Sequence, residues 1–379
     1  MSKQRFPIEN PKPNIDEFMQ IMAGKETIKR VPLVEYVVDD AVMKLILEGM
    51  MGRKWVDISD ETGVLSNKTK FSKEHLEILH AWLDNIISFW YHMGYDFVRI
   101  EIIPPYPDVH LHTAVDTASL KRDLKRNWAD LMDGPISSWD DFENYKWPII
   151  TDDDFYIHRY ICKNLPEGMG FISCHAGGVY EHAVRLFGYE NLCINLIDNP
   201  ELVKAVIDKV GEITLKYNGY LLKLDKLVAI LQGEDLGFKT QTLISPKDIR
   251  KYILPWHKKF AQQAHDKGKS YYLHSCGKID NIMEDLIVDV KIDGKHSFME
   301  GVAPIEEYKK LYGDRICLLG GIDVDILSRY EVDDLRKYVR KVIDSCAPGG
   351  RFAVGAGNSI PSYVPVKNYL TMIDETLNY

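Results

Sequence analysis

Apolar residues recur along the chain with two different periods, and their alternation carries most of the fold information. Leu76, Leu79, Leu83, Ile86, Ile87 and Trp90 lie three and four residues apart behind Ser72, a residue type that caps helix N-termini. They predict an amphipathic helix with one broad apolar face. Short apolar-rich runs follow at Phe97 to Ile103, Gly170 to Cys174, Leu227 to Gln232, Ser270 to His274, Val290 to Ser297, Arg315 to Leu319 and Arg351 to Gly355, and these read as strands. Helical patterns lie between most successive runs, near Tyr180 to Phe187 and Glu201 to Leu224 among others. The best-marked helix opens at Ser245-Pro246, buries Ile249, Tyr252, Ile253, Trp256 and Phe260, and stops at Gly268.

Strand followed by helix, repeated, implies a parallel sheet that either closes into a barrel or stays open and doubly wound. No Gly-x-Gly-x-x-Gly follows a strand and no Walker sequence occurs, so the open nucleotide-binding alternative lacks its usual signature. The expectation is an α/β protein of the (β/α)8 TIM-barrel class over residues 71–379, with chemistry where strands end and βα loops begin. Residues 1–70 read as an N-terminal extension packed on the barrel. They offer a short helix at Asp16 to Met22, an apolar run at Val31 to Val38 and a helix at Ala41 to Met51.

Composition narrows the function classes. A chain of 379 residues with 45% apolar content can bury a large core. A net charge of -9 argues against a polyanion, so nucleic acid is not an expected partner. No stretch approaches the roughly 18 apolar residues of a membrane span, and MSKQRFPIENPKPN lacks a signal-peptide core, so a cytoplasmic protein without a membrane partner is expected. Six cysteines without framework spacing are expected as reduced thiols.

The predicted strand ends collect polar residues: Glu234 and Asp235, His274 and Cys276, His296, Asp323 and Asn358. In an extended chain His274 and Cys276, two apart, point the same way, so an imidazole and a thiolate can approach one ion, and zinc suits that pair. A buried strand-end histidine beside an inert cysteine is the bland alternative. Glu234 or Asp235, on the preceding strand, is the geometric candidate for a third ligand; either can instead cap a helix or position a substrate. His296 reads as ligand, acid–base group or structural histidine. His110-Leu111-His112 reads as loop, and Cys174-His175 before Gly177-Gly178 as loop or pocket floor.

Several segments in order then resemble the uroporphyrinogen decarboxylase superfamily, and within it the cobalamin-dependent methyltransferases. They are Ala183-Val184-Arg185-Leu186-Phe187-Gly188-Tyr189-Glu190-Asn191-Leu192, Gly233-Glu234-Asp235-Leu236-Gly237, Leu273-His274-Ser275-Cys276-Gly277, Leu319-Gly320-Gly321-Ile322-Asp323 and Gly355-Ala356-Gly357-Asn358-Ser359-Ile360-Pro361. The Arg-Gln-Ala-Gly-Arg motif with which the heme-pathway decarboxylases hold substrate carboxylates is absent; the region reads Val31-Pro32-Leu33-Val34-Glu35-Tyr36-Val37-Val38. His274 and Cys276 match the zinc-binding His-x-Cys of the methyltransferases, while their later Gly-Cys-Gly ligand is replaced by Gly355-Ala356-Gly357.

The resemblance implies a zinc-dependent enzyme that moves a methyl group between a small methylated compound, of methoxy, methylamine or thiol type, and a corrinoid. His274, Cys276 and Glu234 are the expected ligands, with Asp235, His296 and Asn358 as acid–base or supporting groups. No Asp-x-His-x-x-Gly corrinoid motif occurs, so methylcobalamin or cob(I)alamin is expected on a separate corrinoid protein. A metal-independent decarboxylase and a non-catalytic accessory barrel are the competing readings, and assembly into a homodimer stays open.

Overall fold

The structure, a computed structural model, describes residues 6–25, 30–58, 73–102, 104, 106, 107, 111–115, 125–129 and 133–379, with the backbone alone at 111–115 and 125–129. Ser72 and His110 lie outside the described residues.

Nine strands are present among them: β1 Phe97–Ile102, β2 Leu111–Val115, β3 Lys125–Ala129, β4 Gly170–His175, β5 Leu227–Gly233, β6 Ser270–His274, β7 Gly294–His296, β8 Cys317–Leu319 and β9 Phe352–Ala353. Seven form one parallel sheet in the order β1-β4-β5-β6-β7-β8-β9. Each neighbour is the next strand of that sheet in sequence, as repeated right-handed crossovers require. The remaining two make a separate antiparallel ribbon. Leu111 and His112, read as loop in the sequence, instead start a strand. The run Val290 to Ser297 also differs from its expected form, because Asp285–Val290 winds into a π-helical turn and only Gly294–His296 is strand. In that turn Leu286 and Val290 are buried and four apart, while Val288 is 63% exposed, which is helical and not strand periodicity.

Alternate residues of β1, β4, β5, β6, β8 and β9 enter two different cores. Phe97, Ile172, Ala229, Leu231, Tyr272, Cys317, Leu319 and Ala353 meet on the inner face, closed off at one end by Phe18, Ile21 and Met22 of the helix Ile15–Met22. Val98, Phe171, Ile230, Tyr271, Leu273, Leu318 and Phe352 point the other way and pack with the helices. Full burial stabilises each large apolar side chain by about 1.5–3 kcal/mol, so a shift of one residue in any strand is strongly disfavoured. Residues of the first and last strands share the inner cluster, so the sheet curls upon itself. Between its edges runs the apolar segment near Val31. Leu33 bridges Val354 in parallel, Val34 joins the inner cluster, and the Arg99 guanidinium of β1 donates to the Tyr36 carbonyl. Among the described residues no helix is long and apolar enough to cross a membrane.

Candidate metal centre

The inward parity of the strands selects the site. On β5 Ala229 and Leu231 face inward, so Gly233 and Asp235 continue that face; on β6 Tyr272 is followed by His274 and Cys276. Register aligns Gly233, His274, His296 and Leu319 across four strands, which brings the ends of β5, β6 and β7 level. Asp235, His274 and Cys276 consequently offer oxygen, nitrogen and sulfur atoms that all lie within 4.8 Å of one another.

Glu234, expected as the third ligand, is not part of this group. It has the outward parity of Ile230 and Gln232 and is fully buried behind the sheet. Its carboxylate accepts from the backbone N–H of Tyr180 at 3.1 Å and of Glu181 at 3.1 Å, at the start of the helix Val179–Phe187, and from His257 Nε2 at 2.9 Å. A negative charge against unsatisfied N–H groups at a helix start is a cap. Gly178 makes room for it, since a Cβ there would stand 2.1 Å from the Glu234 carboxyl carbon. Gly178 thus admits a side chain of this chain, while Gly177 lines a cavity. The adjacent Cys174 and His175 are fully buried at the end of β4.

The tautomers of the two site histidines follow from their partners. His296 Nε2 lies 3.2 Å from the Ala356 carbonyl, which only accepts, so this nitrogen carries hydrogen. Burial holds His296 neutral, with its pKa lowered to about 3, so its Nδ1 is a lone pair. His274 Nδ1 is 2.6 Å from that lone pair and must donate. Burial, first, and the nearby His296, Arg99 and Lys295 also keep His274 neutral. Its Nε2 is therefore a lone pair, aimed at Cys276 Sγ at 3.4 Å and Asp235 Oδ1 at 3.6 Å. Tyr36 stacks on His274 at 3.8 Å between ring centres, beneath the Arg99 guanidinium at 4.0 Å.

The sulfur is surrounded by donors. Asn358 Nδ2 lies 3.2 Å from Cys276 Sγ, and its amide orientation is set by Ser359 N–H donating to Oδ1 at 2.7 Å. Ser297 Oγ is 3.6 Å from the same sulfur. Ser297 sits at φ 84°, a strained backbone for a residue with a Cβ, and its carbonyl accepts from the buried Lys295 Nζ at 2.6 Å. Without a cation the thiol is pushed up to about 12, by burial and then by the Asp235 charge. A neighbouring dication reverses that balance.

The donor set fits zinc. Tetrahedral zinc with nitrogen at about 2.0 Å and sulfur at about 2.3 Å separates those two atoms by about 3.5 Å, close to the observed His274–Cys276 spacing. Two cavities open from the site, and both are lined by Cys276 and Asn358. The inner one, of about 260 Å³, is walled by Tyr36, Glu181, Arg185, Asp235 and His274; the outer one, of about 1010 Å³, by Phe298, Met299, Asp323, Arg329 and Tyr330 among others. Glu181 accepts from Gly178 N–H at 3.1 Å, and burial together with the charges of Asp235 and Glu234 raises its carboxyl to about 8. Sequence reasoning placed His274, Cys276, Asp235, His296 and Asn358 at strand ends, and the structure brings all five together. It missed Tyr36, Glu181, Arg185 and Ser297, none of which has a spacing signal of its own.

The profile of the uroporphyrinogen decarboxylase (URO-D) family matches residues 130–379. The chain belongs to that family. Three solved structures share the fold of this family member over most of its length. A methyltransferase from Methanosarcina mazei aligns with a TM-score of 0.67 at 14% identity, covering 96% of this chain and 98% of that one. A B12-independent methionine synthase from Shewanella sp. W3-18-1, in complex with selenomethionine, gives 0.50 at 9% identity over 81% and 89%. A putative vitamin-B12 independent methionine synthase from Listeria monocytogenes gives 0.52 at 10% identity over 93% and 98%. Among curated proteins none matches the sequence significantly.

Proposed function

We propose that this URO-D family protein is a zinc-dependent methyltransferase that moves a methyl group between a small methylated compound and a separate corrinoid protein, on a barrel whose eighth position is taken by residues 31–38. The observation that carries the reading is the convergence of a tautomer-locked imidazole, a hydrogen-bonded sulfur and a carboxylate at one point between two cavities. Asp235 replaces Glu234 as the proposed third ligand.

Bound to Asp235, His274 and Cys276, zinc supplies a Lewis acid for the heteroatom that carries the methyl group. The residues around it do the rest. His296 holds His274 with its Nε2 lone pair forward, and Asn358 and Ser297 hold the sulfur in its anionic form. In the direction of demethylation the methyl group passes to the reduced cobalt of the partner, and the heteroatom keeps the bonding pair and takes up a proton, for which Glu181 on the inner cavity wall is the proposed donor. The inner cavity suits the small compound, and the outer one leaves room for the partner's corrinoid.

The test supplies zinc-loaded protein with cob(I)alamin and a panel of methoxy, methylamine and thioether compounds, and follows the visible spectrum of the corrinoid. Methylation of cobalt that depends on Cys276 and on zinc supports the reading. Turnover of a substrate with no corrinoid present, or release of carbon dioxide, contradicts it.

A further inference from the structure

The inner cavity carries one guanidinium without a hydrogen-bonded partner among the described residues. Of the ionic groups on its wall, Glu101 is paired to Arg99 at 2.7 Å and Glu181 accepts from Gly178 N–H at 3.1 Å. Arg185, one turn along the helix from Glu181 and near enough to act on its charge, is half-buried and makes no hydrogen bond or close ion pair among the described residues. Its Nη1 lies beside Gly177 of the same wall, where a Cβ would stand 3.5 Å away. A guanidinium has five donors and no acceptor, and partial burial without a partner costs it hydration. Its planar fork matches a carboxylate through two parallel bonds.

We propose that Arg185 binds the carboxylate of the substrate, so that the small compound of this site is a methylated acid. The acid end meets Arg185, and the methyl-bearing heteroatom reaches Asp235, His274 and Cys276 across the same cavity. A volume of about 260 Å³ falls just below the ~300 Å³ at which pockets for drug-sized molecules begin, so the cavity suits a compact acid. The assignment of the reacting end rests on the methyl-transfer reading; the anion site does not.

Calorimetry with the zinc-loaded protein, without corrinoid, tests it using methoxyacetate and 3-methoxybenzoate against their primary amides. The native protein is expected to bind at least one acid about tenfold or more above its amide, the loss expected when a buried donor faces a neutral group. Arg185→Gln is expected to abolish that preference with unchanged circular dichroism and zinc content, and Arg185→Lys to keep part of it. Equal binding of acid and amide, no binding of either acid up to ~10 mM, or a preference that survives Arg185→Gln overturns the proposal. An acid preference in a protein that fails to methylate cobalt leaves the anion site standing and removes only the methyl-transfer reading.

Discussion

His296 sets the tautomer of His274: the two Nδ1 atoms lie 2.6 Å apart, and the Ala356 carbonyl at 3.2 Å fixes which of them carries hydrogen. The proposed ligand is thus oriented by a histidine that ligates nothing itself. His296→Phe keeps a ring beside Tyr36 and removes both nitrogens. Zinc affinity, measured by competition with a chromophoric chelator, is expected to fall about 10- to 100-fold, as for other groups that orient a ligand. Unchanged affinity would show that His274 needs no such support.

The neighbours Asp235 and Glu234 are expected to fail in opposite ways. Asp235→Asn removes charge from the proposed ligand set and should lower zinc affinity while leaving the urea unfolding midpoint near its native value. Glu234→Gln removes the charge that caps the helix Val179–Phe187 and partners His257, and should lower the unfolding free energy by about 1–3 kcal/mol. Zinc content and urea denaturation of the two variants form the comparison. The reverse pattern would return Glu234 to the metal.

These two residues also show how much of the site is legible in the sequence. The strand ends at His274, Cys276 and Asn358 follow from periodicity, and the inward pair His274 and Cys276 from their spacing of two. The same parity, counted from Ala229 and Leu231, selects Asp235 over Glu234, but it needs the knowledge of which face of β5 is inner. That face is decided by residues far away in sequence, Phe18, Val34 and Ala353, whose packing no local pattern reports. Arg185 and Tyr36 are reachable only in three dimensions, because neither sits at a strand end and no spacing in the segments that hold them shows that they reach the site. Among the described residues seven strands form the sheet where eight were expected, and the place beside β9 is marked only by two isolated parallel bridges, Leu33 to Val354 and Val38 to Ile360, each too brief for a strand.

Asn358 donates to the Cys276 sulfur at 3.2 Å, so Asn358→Leu should remove a bond that favours the thiolate. Zinc release into excess chelator is expected to quicken as pH is lowered, and to do so at higher pH in the variant than in the native protein. Coincident profiles would show that the amide does not act on the sulfur.

Away from the site, burial lowers the pKa of His158 to about 3 and that of His175 to about 4, both from an ordinary value of 6.5. Each is neutral in the folded protein and takes up a proton on unfolding. The stability they contribute is complete above about pH 6.5 and is lost as pH falls toward about 3–4. His158→Gln is expected to flatten the fall of unfolding free energy between these limits by about 1.4 kcal/mol per pH unit, the slope of one proton, in urea titrations at successive pH values. A slope equal to the native one would mean that His158 is protonated in the folded protein.

The most direct test of the metal centre is X-ray absorption at the zinc edge of the zinc-loaded protein. The account requires stoichiometric zinc with a single sulfur at about 2.3 Å and the remaining scatterers, nitrogen and oxygen, at about 2.0–2.2 Å. Cys276→Ser should lose the sulfur shell, whereas Glu234→Gln should leave the spectrum as it is. Zinc bound with no sulfur or with two, or protein that takes up no zinc, would contradict the assignment of Asp235, His274 and Cys276.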